Sequence, residues 1–252
     1  MMASPEDYFR RNGLKPMPWG EVLHAIETRL APSALETFRR LHRNFIGYPV
    51  EHTCRAFYDF AGKHDLLDLL ASFRFERLCR IAASLSPLPL RGCSVLELGA
   101  GGGHLSGYLR EELGADVSVA DWCTENLRAL ETEGFEIFMD AKDAALRRKR
   151  LDFILCADSL GEVNADEDSW LREPENAEDP EYADRLEQRY GFVGKLAPWK
   201  PLLSRGGSVL LFEPIGLPFF WEGVLASFRE SAWKAEILGP DPAWGIVASP
   251  GV

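Results

Sequence analysis

The chain lacks any long hydrophobic run. No stretch of about 18 apolar residues occurs among its 252 residues, so the sequence contains no candidate transmembrane helix. The first 20 residues also differ from a secretory signal, because Glu6, Asp7, Arg10 and Arg11 stand where a signal peptide is apolar. We therefore expect a soluble, cytoplasmic protein that does not bind membranes.

Cysteine is scarce and shows no metal-binding spacing. The five cysteines are odd in number and none belongs to a C-x-x-C pair, so neither a disulfide framework nor a zinc site is indicated. We expect reduced thiols, most of them in the core, and no bound metal.

A surplus of positive charge is also missing. The 28 Lys and Arg residues are outnumbered by 39 Asp and Glu residues, which gives a net charge of −11. Most of this charge lies between Asp158 and Glu187, a segment with 12 acidic residues and only two arginines. Without a basic face that could contact phosphates, nucleic acid is not expected as a partner.

The first 88 residues have helical spacing and almost no strand signal. Apolar residues recur every three or four positions from His64 to Leu85, and again from Ser33 to Phe45, which predicts a helix over each range. The stretch Pro87 to Pro89 ends this part of the chain. We expect residues 1–88 to form a helical cap over a ligand site. Three aromatic residues of the leader are expected to cover the ligand: Tyr8, Phe9 and Trp19.

From Ser94 onward, short apolar runs alternate with helical segments, a pattern typical of a parallel sheet flanked by helices. The last two runs are separated by too few residues for a crossover helix, which needs about a dozen, so they are predicted to be antiparallel. We predict an α/β fold with a doubly wound, mostly parallel, seven-stranded sheet. Its strands are Ser94–Leu98, Asp116–Ala120, Glu136–Phe138, Asp152–Ala157, Ser208–Phe212, Trp233–Leu238 and Trp244–Ala248.

A glycine-rich loop follows the first predicted strand and precedes a helix, an arrangement that lets a ligand approach the backbone closely. A dinucleotide site needs G-x-G-x-x-G, but the third glycine position is occupied by His104. The loop instead resembles the first motif of class I S-adenosylmethionine-dependent methyltransferases, in which an acidic residue stands two places before G-x-G-x-G. The matching residues are Glu97, Gly99, Gly101 and Gly103.

The resemblance continues through the fifth predicted strand. Asp121 matches the family's ribose-binding position, and the pair Asp140 and Ala141 matches the residues that contact adenine. It implies a Rossmann-like methyltransferase domain over residues 89–252, with S-adenosyl-L-methionine as cofactor and S-adenosyl-L-homocysteine as product. The cofactor-binding residues implied are Glu97, Gly99, Ala100, Gly101, Gly103, Asp121, Trp122, Asp140, Ala141 and Asp158.

The residue types suit this cofactor chemically. The Asp121 carboxylate can accept hydrogen bonds from both ribose hydroxyls, each worth about 1.5–3 kcal/mol, although an aspartate here also suits a helix N-cap. Glu97 can balance the ammonium group of the methionine part. Asp140 can accept from the adenine amino group while the Ala141 N–H donates to a ring nitrogen. Trp122 either flanks adenine or packs in the core.

The acceptor side of the site is less specific. Methyl transfer is an in-line displacement that mainly needs alignment, so the absence of a catalytic triad excludes nothing. Asp158 and Glu162 follow the fourth strand, and we predict that one of them contacts the acceptor or takes its proton. The alternative bases are His24, His42, His52 and His64.

The predicted function is methyl transfer to oxygen, nitrogen or carbon of a small molecule. The sequence Cys156-Ala157-Asp158-Ser159 departs from the Asn-Pro-Pro-Tyr type, which disfavours transfer to the amino groups of bases or glutamine. Two alternatives stay open: a protein or peptide methyltransferase, and a non-catalytic cofactor- or partner-binding domain. The acidic insertion over about 164–184 is either a solvated loop or a segment that recruits a cationic substrate. The acceptor and the oligomeric state are not predicted.

Overall fold

The structure, a computed structural model, describes residues 3–47, 51–147, 149–159, 181–213, 218–238 and 245–251. Contacts divide the chain into two compact units. The first comprises Met1–Arg91 with Ala100–Ile137, and the second comprises Gly92–Gly99 with Phe138–Val252. The sequence-based division into a cap over 1–88 and a cofactor-binding domain over 89–252 stays a prediction.

Six helices form the N-terminal part of the first unit: α1 (Pro5–Arg11), α2 (Trp19–Arg29), α3 (Pro32–Gly47), α4 (Glu51–Lys63), α5 (Leu67–Phe73) and α6 (Phe75–Leu85). One apolar side from each of α2, α3 and α4 builds their shared core, which contains Ile26, Phe38 and Phe57. Helix α1 begins where the Ser4 Oγ accepts the Asp7 N–H at 3.1 Å. The predicted helix over Ser33–Phe45 is confirmed within α3.

The single helix predicted over His64–Leu85 is wrong. Arg74 has φ −95° and ψ 13°, which ends α5 and starts α6 with no continuous turn between them. His64 precedes α5, whose N-cap is Leu66. Only one residue, Arg74, separates the two helices, so the three- and four-residue spacing of the apolar side chains continues nearly unchanged across the break. Periodicity alone therefore could not reveal the break.

The rest of the first unit contains α7 (His104–Glu111), β2 (Asp116–Ala120) and α8 (Thr124–Thr132). The leader helix α1 packs firmly within this unit. Tyr8 and Phe9 are buried, and the Phe9 ring lies 6.4 Å from Phe75 and 5.9 Å from Tyr108 between ring centroids. The expectation that Tyr8 and Phe9 cover a ligand is therefore wrong, because both belong to the core.

The other elements are β1 (Ser94–Leu98), β3 (Glu136–Phe138), α9 (Ala141–Leu146), β4 (Leu151–Ala157), α10 (Tyr182–Tyr190), α11 (Phe192–Leu196), β5 (Leu203–Phe212), α12 (Pro218–Glu230), β6 (Trp233–Leu238) and β7 (Gly245–Pro250). The seven-stranded sheet has the order β3-β2-β1-β4-β5-β7-β6. Strands β1, β4 and β5 pair in parallel, whereas β7 pairs antiparallel with both β5 and β6. The predicted doubly wound, mostly parallel sheet and its antiparallel end are confirmed.

Two features of the described residues bear on the classes of protein considered above. No helix among them is long and apolar enough to cross a membrane. The same residues contain no group of three or more His, Cys, Asp or Glu side chains placed to hold a metal ion. All five cysteines are free thiols, and Cys54, Cys123 and Cys156 are buried.

Candidate active site

The backbone conformation of the loop between β1 and α7 favours glycine at three positions. Gly99, Gly101 and Gly103 have φ angles of 73°, 55° and 73°, in the left-handed region that disfavours residues with a Cβ atom. A Cβ on Gly103 would clash with the Leu130 side chain, and a Cβ on Gly99 would clash with Ser159. Packing therefore requires glycine at these two positions whether or not a ligand binds.

Gly101 differs from its two neighbours in the motif. A Cβ built on it meets no atom within 4 Å, so the space beside this residue is open. Its N–H donates to Oδ2 of Asp121 at 2.9 Å, which ties the loop to the end of β2. The first unit thus presents an open cradle of backbone directly beside a fixed carboxylate.

Asp121 is held by two backbone donors. It is only 8% exposed, and its Oδ1 accepts the Cys123 N–H at 2.7 Å while Oδ2 accepts from Gly101. Burial raises the pKa of Asp121, although the N–H donors of Cys123 and Gly101 oppose that shift. The N-cap residue of α8 is Cys123, so the N-cap alternative for Asp121 is wrong. A carboxylate offers about four acceptor positions, and the two backbone N–H groups together with the Asn126 side chain occupy three of them, which leaves one for a ligand hydroxyl.

Three carboxylates stand at the carboxyl ends of adjacent strands in the second unit. Glu97 on β1 and Glu213 after β5 are 3% and 0% exposed, and Asp158 after β4 is half-buried. Burial, with the negative charges of Glu213 and Glu97, raises the pKa of the Cys156 thiol on β4 well above its ordinary value. Glu97 and Glu213 therefore both lie close enough to Cys156 for their charges to act on its thiol.

Asp158 occupies a special backbone position at the end of β4. Its φ of 54° is in the left-handed region, which aspartate tolerates better than most residues, and its N–H donates to the Phe212 carbonyl at 2.8 Å. The hydrogen bond continues the parallel pairing of β4 and β5 by one residue. It fixes the backbone that carries the Asp158 carboxylate.

No protein-family model matches the chain, and no curated protein matches it significantly by sequence. Solved structures match it by fold. Human N-acetylserotonin methyltransferase in complex with SAM gives a TM-score of 0.50 at 16% identity, with 93% of this chain and 66% of that chain covered. A SAM-dependent methyltransferase from Bacteroides fragilis, in complex with S-adenosyl-L-homocysteine, gives 0.43 at 15% identity and coverages of 67% and 77%.

A third match is the ribosomal protein L11 methylase of Lactobacillus delbrueckii subsp. bulgaricus, with a TM-score of 0.45, 15% identity and coverages of 71% and 80%. At such low sequence identities the similarity concerns the fold alone. The fold assignment rests on the match to the human enzyme. The chain has the fold of class I methyltransferases. The resemblance seen in the sequence is confirmed at this level.

The remaining predicted cofactor residues occupy varied positions in the methyltransferase fold. Asp140 is exposed, and its Oδ1 accepts the Asp143 N–H at 2.8 Å as the N-cap of α9. Ala141 is buried at the first position of that helix, and the buried Ala100 accepts the Gly103 N–H at 2.8 Å. Trp122 is 36% exposed, so it does not pack in the core.

The predicted bases have different surroundings. Glu162 and most of the acidic insertion over 164–184 lie outside the described residues. His24 and His52 are exposed, and the His64 ring contacts Phe60 at a tilt of 35°, with 4.3 Å between ring centroids. His42 is half-buried among aromatic rings, and this burial lowers its pKa.

Two residues near the predicted ones were missed by sequence reasoning. Glu213 follows the apolar end of β5 directly, the same signal that singled out Asp158 after β4, and could have been found in that way. Asn126 is buried on α8, and its side chain hydrogen-bonds to Asp121. No motif spacing marks Asn126, since its role depends on the turn between β2 and α8.

Proposed function

We propose that the chain is an S-adenosylmethionine-dependent methyltransferase. The observation that carries the proposal is the open space beside Gly101, whose backbone N–H is hydrogen-bonded to the buried Asp121 carboxylate. The residues proposed to bind the cofactor are Glu97, Gly99, Ala100, Gly101, Gly103, Asp121, Trp122, Asp140, Ala141 and Asp158.

The described residues fit the chemistry of that cofactor. Asp121 keeps acceptor capacity for a ribose hydroxyl after bonding Gly101, Cys123 and Asn126, and these bonds fix the orientation of its carboxylate. Glu97 supplies a buried negative charge for an ammonium group. The exposed ring of Trp122 can cover a flat base, and the second oxygen of Asp140 stays available to an amino group. Ordering these groups before the ligand arrives lowers the entropy cost of binding.

When bound, S-adenosylmethionine supplies a methyl group on a positively charged sulfur. The chain's own contribution is to bind and align an acceptor, because alignment supplies most of the acceleration in a displacement of this kind. Asp158 is proposed to orient the acceptor and to take its proton, supported by its position at the end of a parallel strand. Glu162 is proposed as the alternative base.

The proposed acceptor is a small molecule with a nucleophilic oxygen, nitrogen or carbon. The acidic composition supports a partner other than nucleic acid, and the five free thiols support a reducing compartment such as the cytoplasm. Residues 1–88 are proposed to cover the acceptor. A basic peptide is the second candidate acceptor, favoured by the 12 acidic residues between Asp158 and Glu187.

Methyl-labelled S-adenosylmethionine tests the proposal when it is offered with a panel of small alcohols, phenols and amines and a panel of basic peptides. Label in the small molecules is the expected result, and label in the peptides alone would replace the first acceptor class with the second. Calorimetric binding of S-adenosylhomocysteine without transfer to either panel would indicate a non-catalytic binding domain. Absence of both binding and transfer would contradict the proposed function.

A further inference from the structure

A cavity of about 280 Å³ lies wholly within the first unit, among the helices α2 to α5. This volume approaches the lower end of ordinary ligand pockets, which span roughly 300–1,000 Å³. The cavity opens at the surface beside Ile46 and Phe73, which are 54% and 50% exposed. Two large apolar side chains exposed together at the mouth of one cavity are typical of a surface that binds a ligand or a partner.

The walls of the cavity are mainly aromatic rings, several of them parallel. Phe45 and Phe57 stack with 4.8 Å between centroids and an interplanar angle of 4°. Trp19 stacks on His42 at 4.8 Å and 27°, and it also contacts Phe73 at 5.2 Å. A wall of aromatic rings favours a flat, aromatic occupant over a branched aliphatic one, because the ring edges and the faces not stacked on a neighbour can make edge-to-face and offset-stacked contacts with it.

Polar groups on the wall are few. The His42 ring makes stacking contacts, and among the residues that the structure describes its nitrogens have no hydrogen-bond partner. Arg74 also lines the cavity, and it is the one charged side chain among the described lining residues. The Trp19 indole and the Tyr58 hydroxyl are the other polar groups of the described lining. A pocket with apolar walls and a few polar groups orients a ligand that carries a hydroxyl or N–H.

We propose that this aromatic pocket binds an uncharged, planar aromatic molecule of two or three fused rings, with one hydroxyl or N–H that hydrogen-bonds to His42. The rings of Trp19, Phe57 and Phe73 supply the stacking surface. The inference concerns ligand binding by the first unit and does not depend on methyl transfer.

Titration calorimetry with 2-naphthol tests the proposal on the full chain. One saturable site per chain is expected, and the flexible, saturated analogue decahydro-2-naphthol should bind at least about tenfold more weakly because it cannot stack. Equal affinity for the aromatic and saturated alcohols would overturn the proposal.

Two variants locate the site. Phe73→Ala should weaken 2-naphthol binding about fivefold or more, because one aromatic contact is lost, while the half-exposed position keeps the loss of stability small. Leu146→Ala is the matched control, since Leu146 is 84% exposed and lies outside the cavity. His42→Phe keeps a ring and removes the hydrogen bond, so it should weaken binding of 2-naphthol while leaving naphthalene binding unchanged.

Other outcomes would overturn the proposal. One is the absence of saturable 2-naphthol binding. A second is equal affinity of Phe73→Ala and wild type for 2-naphthol. A third is a dimer, detected by sedimentation, that binds 2-naphthol only after it dissociates. The last result would assign the apolar mouth to a second copy of the chain. S-adenosylhomocysteine binding is measured on the same samples. A result that contradicts the aromatic pocket can then be distinguished from one that contradicts the methyltransferase assignment.

Discussion

At the scale of single residues, Asp121 combines a structural and a proposed binding role. Asp121→Ala should weaken S-adenosylhomocysteine binding roughly tenfold to a hundredfold, since about 1.5–3 kcal/mol of hydrogen bonding to ribose is lost. It should also lower the free energy of unfolding by about 1–3 kcal/mol, because the N–H groups of Gly101 and Cys123 lose their acceptor. Calorimetry and denaturant unfolding measure the two effects separately.

Ser227→Ala is a control for the stability loss alone. The Ser227 hydroxyl is buried and donates to the Ala183 carbonyl at 2.9 Å in the second unit, at a distance along the chain from every proposed cofactor residue. This variant should lose stability and keep its affinity for S-adenosylhomocysteine. If Asp121→Ala behaves in the same way, the ribose assignment is wrong.

Asp158 tests the acceptor side. Asp158→Asn removes the charge while keeping a residue type that tolerates the left-handed backbone, so the turn after β4 should persist. Once an acceptor is known, turnover should fall at least about tenfold with cofactor affinity unchanged. Unchanged turnover would exclude Asp158 as a required base and leave Glu162 and the histidines as candidates.

His42 should give the stability a measurable pH dependence. Burial lowers the pKa of His42 from its ordinary 6.5 in the folded chain, so the unfolded chain binds more protons as the pH falls below that value. The free energy of unfolding should therefore decrease between about pH 7 and pH 5, and His42→Phe should flatten this decrease. The exposed His24, changed to Phe, is the control, and identical pH slopes for wild type and His42→Phe would contradict the prediction.

The cofactor-binding roles of Asp121 and Gly101 stay predictions that rest on strand order and motif spacing. The structure adds the hydrogen bond between these two residues. The His42 surroundings were not predictable, because they arise where side chains from α2, α3 and α4 meet. Helical spacing shows which side of each helix is apolar and does not show which rings become neighbours.

At the scale of elements, the leader helix α1 is a structural part of the first unit. Phe9 is fully buried against Phe75 and Tyr108, so Phe9→Ala should lower the free energy of unfolding by about 3–5 kcal/mol. Phe73→Ala truncates the same residue type at a half-exposed position and should cost much less. Equal losses in chemical denaturation would show that α1 does not contribute its core contacts in solution.

The helix boundaries show what sequence patterns lack at this scale. Ser4 and Asp7 at the start of α1 form a capping pair that the sequence displays, whereas the end of α5 at Arg74 has no proline or glycine to mark it. When a helix ends at one residue with non-helical backbone angles, and no proline or glycine marks that residue, tertiary packing determines where the helix ends. Four of the seven strands begin and end at the predicted residues, because an apolar run bounded by polar turns defines both ends. Strand β5 instead begins at Leu203, five residues before the predicted Ser208, since its irregular pairing with β4 extends into a polar, glycine-containing stretch.

At the scale of the whole molecule, the sheet was predictable because its rules are topological. Alternating strands and helices require parallel pairing, and the short interval between β6 and β7 requires an antiparallel connection. The grouping of the loop from Ala100 onward with the N-terminal helices was not predictable, since it depends on long-range contacts. Composition and periodicity contain no information about such contacts.

The central claim, that the glycine loop binds S-adenosylmethionine, is tested most directly by titrating S-adenosylhomocysteine into Gly101→Ala and Gly134→Ala. Both glycines have positive φ, 55° and 83°, and open space at the Cβ position, so both changes should cost a similar 1–2 kcal/mol or so of stability. Only Gly101→Ala should weaken binding, by about tenfold or more, because its methyl group enters the proposed ligand space. Equal, wild-type affinity in both variants would contradict the account.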